Sequence, residues 1–165
     1  MGIGWHKQHE RAHYDKPISY GPNQAGFDYF YGIAASLDMP PYCFIENDRV
    51  VEVPSVPKHP IHYGQEHRGG LMAPGWKDEA VNQTLTEKAI RFIEEQTGAD
   101  ADKPFFLYVP LTGPHTPWVT SEAFKGRSGI GPRGDVITEL DWTVGEMMAV
   151  LERQGVADHT LIMGW

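Results

Sequence analysis

Cysteine is nearly absent from this chain. Cys43 is the single one among 165 residues, so no internal disulfide forms and no cysteine-based zinc site can be assembled. In its apolar surroundings it reads as a small packing residue in a strand, with no role of its own. Long apolar runs are absent too. None approaches the length of a membrane span, and no secretory signal precedes the first structured residues; a lone cysteine is silent on redox compartment, so localisation stays open. Basic residues are outnumbered, with 14 Lys and Arg against 22 Asp and Glu and a formal net charge of -8. That balance argues against a nucleic-acid or anionic-membrane surface. The acidic residues are spread along the chain, which is the pattern of ordinary solubility. Internal repeats and low-complexity segments are also lacking.

What the chain has in quantity is proline and glycine, 13 and 18 residues. With 41% hydrophobic residues there is enough apolar material for one core. The turn-forming content points to a piece of a larger enzyme carrying long active-site loops.

The organising stretch is residues 103–117, Lys-Pro-Phe-Phe-Leu-Tyr-Val-Pro-Leu-Thr-Gly-Pro-His-Thr-Pro. Its first half is a continuous apolar run between prolines, which predicts a strand buried on both faces. Its second half is a proline-clamped turn: Pro114 and Pro117 fix their own φ and push the preceding residues toward extended geometry. His115 is thereby held just past the end of a strand, where open α/β sheets bind their ligands. A stiff loop carrying a ring that titrates near neutrality is a catalytic candidate. The alternative is a turn histidine bonded to a backbone carbonyl.

At the start of the chain His6, His9 and His13 are spaced so that a helix would place all three on one face. Imidazoles suit zinc, copper or nickel, but no acidic ligand is placed to complete a site. A solvated polar stretch, or a catalytic role for His6 alone, are the other readings. Residues 26–32, Gly-Phe-Asp-Tyr-Phe-Tyr-Gly, form an aromatic cluster read as a core plug. The runs 42–46 and 49–53 flank Asn47-Asp48 and predict a hairpin. Residues 54–75 read as irregular, with His59, His62 and His67 unassigned. Asp78 is expected to cap a helix reaching about Gln96 and ended by Gly98, with Val81, Leu85, Ala89, Phe92 and Ile93 on its apolar face. Asp135 is expected to cap a second helix that ends at Gly155, with Ile137, Leu140, Val144, Met147, Met148 and Leu151 as its stripe. Residues 160–163 read as the next strand, so strand, loop, helix and strand form a right-handed parallel crossover. The fold class is α/β.

Four segments, in order, resemble one family. Trp5-His6 is similar to the Gly-Lys-Trp-His motif of type I sulfatases, the arylsulfatases of the alkaline-phosphatase-like superfamily. Residues 26–32, followed by Asp38-Met39-Pro40, resemble the family's GFDYFYG and DMP segments. Residues 104–117 resemble its PFFLYxPxxxPHxP strand and loop, and residues 141–158 its D-x-x-VG helix and the turn beyond. The likeness spans roughly residues 4–162. It implies a partial sulfatase fold, a mixed and mostly parallel sheet with flanking helices and long loops, and it implies hydrolysis of sulfate esters.

In that family the nucleophile is a formylglycine made within a Cys/Ser-x-Pro-x-Arg motif, and calcium bound by oxygen ligands holds the sulfate. By position, the resemblance makes His115 the histidine that supports departure of the leaving oxygen. It makes His6 the histidine beside the formylglycine, taking a proton from its hydroxyl. The departures are as informative. Gly4 stands where the family has lysine. Cys43 lacks proline and arginine at the required offsets, so it is not the formylglycine precursor, and no metal ligand of the family matches here. The expectation is therefore an incomplete catalytic domain over residues 1–165, lacking the nucleophile and metal segment and the C-terminal part, and inactive alone. Its partners would be a small sulfate ester or a sulfated glycan. A sulfatase-like phosphodiesterase or phosphonate hydrolase, a non-catalytic binding module and a truncated gene product are the alternatives.

Overall fold

In the computed structural model, which describes residues 13–60, 68–98 and 103–164, Asn47 adopts a left-handed φ of 55°. Asparagine tolerates that conformation better than most side chains, and the expected hairpin folds around it. β2 (Phe44–Glu46) pairs antiparallel with β3 (Arg49–Val50), with Glu46 opposite Arg49. β1 (Tyr31–Ile33) adds to the other edge of β2, giving the order β1-β2-β3. The stretch expected to be irregular holds a second antiparallel pair, β4 (Val56–Lys58) and β5 (Gly70–Met72). A single parallel bridge joins Tyr42 to Met72. His59 is exposed, and His62 and His67 lie outside the described residues.

These elements belong to one of two compact units, Met1–Asp78 with His115–Val119. Its core contains Ile18, Leu37, Tyr42, Cys43, Ile45, Ala73 and Trp76. Cys43 is fully buried beside β2, and burial pushes its thiol up to about 12. The aromatic cluster is only partly a core plug. Tyr31 stacks on Phe44 at 5.4 Å between ring centroids, and Phe44 packs on Trp76 at 5.1 Å. Phe27 and Tyr29 face outward. Their loop is held by its own backbone and by Asn23, whose amide donates to Phe27 O at 3.1 Å. Tyr29 hydrogen-bonds Glu46 Oε1 at 2.7 Å through its hydroxyl, so the ring is retained at the surface by its polar end.

Asp78 does not cap the helix that follows. Its carboxylate accepts from Lys58 Nζ at 2.5 and 2.7 Å and from Trp76 Nε1 at 2.6 Å. Lys58 Nζ also lies 3.9 Å from the centroid of the Tyr42 ring. A short 3-10 turn, Asp78–Ala80, leads instead into α1 (Val81–Gly98).

The second unit, Glu79–Pro114 with Thr120–Trp165, is built on α1 and α2 (Pro132–Arg153). α2 begins with a proline in its first turn, where the absent N–H is harmless. It ends as expected: Gly155 takes φ 71°, with Gly155 N donating to Glu152 O and Val156 N to Leu151 O. That pair of bonds is a Schellman closure. Ile93, Val150 and Leu151 form an apolar cluster, against which Ile90, Phe105, Leu107 and Val156 pack.

Several expectations fail in this unit. The buried face of α2 carries Val136, Glu139, Thr143, Val150 and Leu151, whereas Ile137, Val144 and Met148 are exposed. The helix is rotated from the apolar stripe because its contacts with α1 are partly polar. Thr143 and Thr86 lie 3.0 Å apart through their hydroxyls, and each hydroxyl also reaches the carbonyl four residues back on its own helix. The run 105–109 is not buried on both faces either. Phe105, Leu107 and Val109 are half-buried, while Phe106 and Tyr108 are exposed, the period-two alternation of an extended chain packed on one side. Neither this run nor residues 160–163 joins a ladder among the described residues, where the named pairs are antiparallel. The α/β class stands, but the parallel crossover is not formed as paired strands here.

Candidate functional site

The extended run delivers the chain to Gly113, and there α2 leaves no room for a side chain. A Cβ on Gly113 would lie 2.6 Å from Val136 Cγ1 and 3.2 Å from Leu140 Cδ1. Val136 is buried and cannot swing away. Gly113→Ala is therefore expected to destabilise the protein by about 1–3 kcal/mol through overpacking, read as a lower midpoint in denaturant melts. Glycine is required here by close approach, since its φ lies in the ordinary range.

Beyond Gly113 the chain makes the expected proline-bracketed turn, with cis bonds before Pro114 and Pro117. Pro117 is buried and His115 is exposed. The His115 ring lies with Nδ1 2.6 Å from the Thr116 carbonyl oxygen. A carbonyl can only accept, so Nδ1 carries the proton of this bond. That leaves Nε2 outside this bond, able to accept a proton when the ring is neutral and to donate one when it is charged. The bond that would mark a purely structural turn histidine thus also fixes the tautomer and aims the ring. Nε2 has no partner among the described residues.

The other residues singled out by sequence fare unevenly. His6 lies outside the described residues, as does His9, so the placement of the N-terminal histidines is not part of the described structure. His13 is exposed, 3.9 Å from Asp15. Among the described residues no three His, Cys, Asp or Glu side chains converge on a point where a metal ion would sit. The described residues therefore do not fit a calcium ion, and buried Cys43 does not fit a surface nucleophile.

Two carboxyl groups that composition could not distinguish prove to have opposite environments. Asp135 sits inside the first turn of α2 instead of capping it. It accepts from the Ser128 hydroxyl at 2.7 Å, from Ser128 N at 2.9 Å and from Gly126 N at 2.8 Å. These donors, the Ser128 hydroxyl first, hold its carboxyl below the usual aspartate range. Asp135 thereby ties down the loop that follows the His115 turn. Because the folded value is depressed, its stabilisation is present above the unfolded value and is lost as pH falls through the folded one. Asp135→Asn turns an amide N–H₂ toward existing donors. We expect a lower Tm at pH 7 and faster proteolysis within residues 125–131, with less difference between variant and parent as the pH is lowered. Glu139, one turn further along α2, is fully buried. Burial raises its carboxyl above the usual glutamate range, against weaker opposing hydrogen bonds from Ser121 and Asn82.

A half-buried apolar segment thus leads into a proline-bracketed turn that carries an exposed imidazole. Comparison with known proteins gives the family. The sulfatase family model matches residues 4–164, and the chain belongs to the sulfatase family. It is 33% identical over 182 residues to an N-acetylgalactosamine-6-O-sulfatase of Bacteroides thetaiotaomicron, an alignment covering 88% of this chain and 34% of that protein. Human arylsulfatase A is 40% identical over 62 residues, covering 38% of this chain and 12% of the relative. Among solved structures, a chain described under the metabolism of multiple glycosaminoglycans by Bacteroides thetaiotaomicron superposes with a TM-score of 0.75. The two are 30% identical, and the match covers 89% of this chain and 37% of the other. The chain thus spans about a third of the length of these two bacterial relatives. No described helix is long and apolar enough to cross a membrane.

Proposed function

We propose that this chain is part of a sulfatase catalytic domain that hydrolyses sulfate esters, with His115 donating the proton to the departing oxygen. The single observation that carries the reading is the family match over residues 4–164, which includes the proline-bracketed His115 turn. In hydrolysis the S–O bond to the alcohol breaks and its electron pair stays on the alcohol oxygen. Charge on that oxygen is relieved by a proton from a preplaced acid. Imidazolium at His115, with Nδ1–H bonded to the Thr116 carbonyl, presents its Nε2–H for that transfer and is left neutral, with the same tautomer. His6 is proposed as a second proton-handling imidazole.

Formylglycine would supply the nucleophile and calcium would hold the sulfate oxygens, as the resemblance implies. Since the described residues fit neither, no step is derived through them. Catalysis by the whole protein is the proposal, and the 165 residues alone are expected to be inactive. One bacterial relative is named an N-acetylgalactosamine-6-O-sulfatase and the other is described under glycosaminoglycan metabolism, so a 6-O-sulfated N-acetylgalactosamine is the first natural substrate to test.

The test is release of sulfate from an aryl sulfate ester by the longer protein that contains this chain, with calcium present, against the 165-residue chain as a control. Preferential hydrolysis of an aryl phosphonate or phosphodiester would replace the sulfatase reading with a phosphoryl-transfer one. Turnover by the 165 residues alone would overturn the division of labour proposed here.

A further inference from the structure

Among the described residues of the second unit, two buried side-chain polar atoms have no hydrogen-bond partner, and they belong to residues on facing helices. Glu139 is 0% exposed and Asn82 is 7% exposed. They stand on different helices, α2 and α1. Each lies one turn before the Thr86–Thr143 pair that joins the two helices, and Glu139 Oε1 accepts from Ser121 N at 3.3 Å. The orphans are Glu139 Oε2 and Asn82 Oδ1. Both are acceptors if the carboxyl is ionised. Two lone acceptors in the interior would each carry a desolvation penalty that proteins rarely leave standing.

A single proton resolves both. If Oε2 carries hydrogen, the acid O–H can donate to Asn82 Oδ1 while the Asn82 N–H donates to Oε1. Acid and amide then close a planar ring of two antiparallel hydrogen bonds. We infer that Glu139 is a neutral carboxylic acid in the folded protein and pairs cyclically with Asn82, joining α1 to α2 through a bound proton.

The surroundings agree. The groups that act on Glu139 are Ser121 from the segment before α2 and Asn82 from α1, and neither is charged. Next along the interface lies the Thr86–Thr143 hydroxyl pair, also neutral. No counter-ion is offered to a carboxylate, and burial in such a setting favours the neutral form. Asp135, one turn earlier on the same helix, receives three donors and is the ionised contrast.

The consequence is a fold that tightens in acid. Glutamate binds its proton more strongly in the folded state, so its contribution is fully present below the unfolded value, near pH 4.3. It is lost as the pH rises from there through the folded value.

The experiment is thermal unfolding of the full chain between pH 5 and 8, with Glu139→Gln and Glu139→Ala alongside. Glutamine keeps both ring bonds at every pH, because its N–H₂ replaces the acid O–H toward Asn82 Oδ1. The expected result is a Tm of the parent that drops by several degrees toward pH 8. Glu139→Gln should match or exceed the parent there and show a flatter pH profile, and Glu139→Ala should be less stable throughout. An infrared carbonyl band of a protonated carboxyl at pH 7, present in the parent and absent from Glu139→Gln, should accompany this. The inference is overturned if Glu139→Gln is as damaged as Glu139→Ala at pH 8, or if the glutamine variant retains the parent's full pH slope. It is equally overturned if stability follows added sodium or potassium and not pH, since the orphans would then hold a cation.

Discussion

In the longer protein that contains this chain, replacing the proposed acid His115 by alanine is expected to lower kcat for sulfate ester hydrolysis by about 10²–10⁴-fold, the usual contribution of a positioned general acid. The loss should depend on the leaving group. An aryl oxide such as nitrophenolate leaves with little help, so the defect should be smallest there and largest for a sugar alcohol, whose alkoxide needs the proton. His115→Gln would keep a hydrogen-bond donor without a transferable proton, and should rescue KM more than kcat. Stability is the control. The ring is exposed and makes one backbone bond, to Thr116, so the melting temperature should move little; surface changes of this kind stay within about 0.5 kcal/mol. A uniform loss across all leaving groups, or a large drop in Tm, would assign His115 to the architecture of its turn and not to the chemistry.

The largest expected effect on stability is at Asp78. Lys58 and Asp78 expose only 10% and 16% of their side chains. The pair is surrounded by the Tyr42 ring and the Trp76 indole. Asp78→Ala leaves a buried ammonium without its counter-ion and the indole N–H without its acceptor. Breaking one side of such a pair costs about 3–5 kcal/mol, or on the order of 10 °C in Tm for a domain of this size.

Net attraction between the partners is a separate question, since desolvation opposes it. The double variant Lys58→Met with Asp78→Asn removes both charges and keeps an acceptor for Trp76. It should recover most of the loss, and a double-mutant cycle would give the coupling directly. If Asp78→Ala melts within a degree or two of the parent, the pair is water-exposed in solution and the packing described for this unit is wrong.

Local features were legible wherever one residue's own chemistry decides the outcome. Asn47 made the hairpin, Gly155 stopped α2, and Pro114 and Pro117 produced the turn that presents His115. The apolar face of α1 was read nearly correctly, because Val81, Ala89 and Ile93 bury as their spacing predicts. On α2 the same reasoning failed. Hydrophobic periodicity counts Glu139 and Thr143 as outward residues, yet both are buried, Thr143 against Thr86 and Glu139 Oε1 against Ser121 N. The acidic residues at 78 and 135 looked like caps, since Asp before a helix usually is one. Each instead serves a partner that comes from elsewhere in the chain, Lys58 in one case and the loop at residues 126–128 in the other.

By itself the sequence determined the family, the α/β class, the positions of both helices and the imidazole worth testing. Each of these follows from an ordered motif or from local conformational preference. Only the tertiary structure decided which face of α2 is interior, which nitrogen of His115 is committed, and which carboxyl is satisfied and which is stranded. Those outcomes depend on what lies across the interface, and desolvation is set by neighbours that no local pattern in the chain encodes.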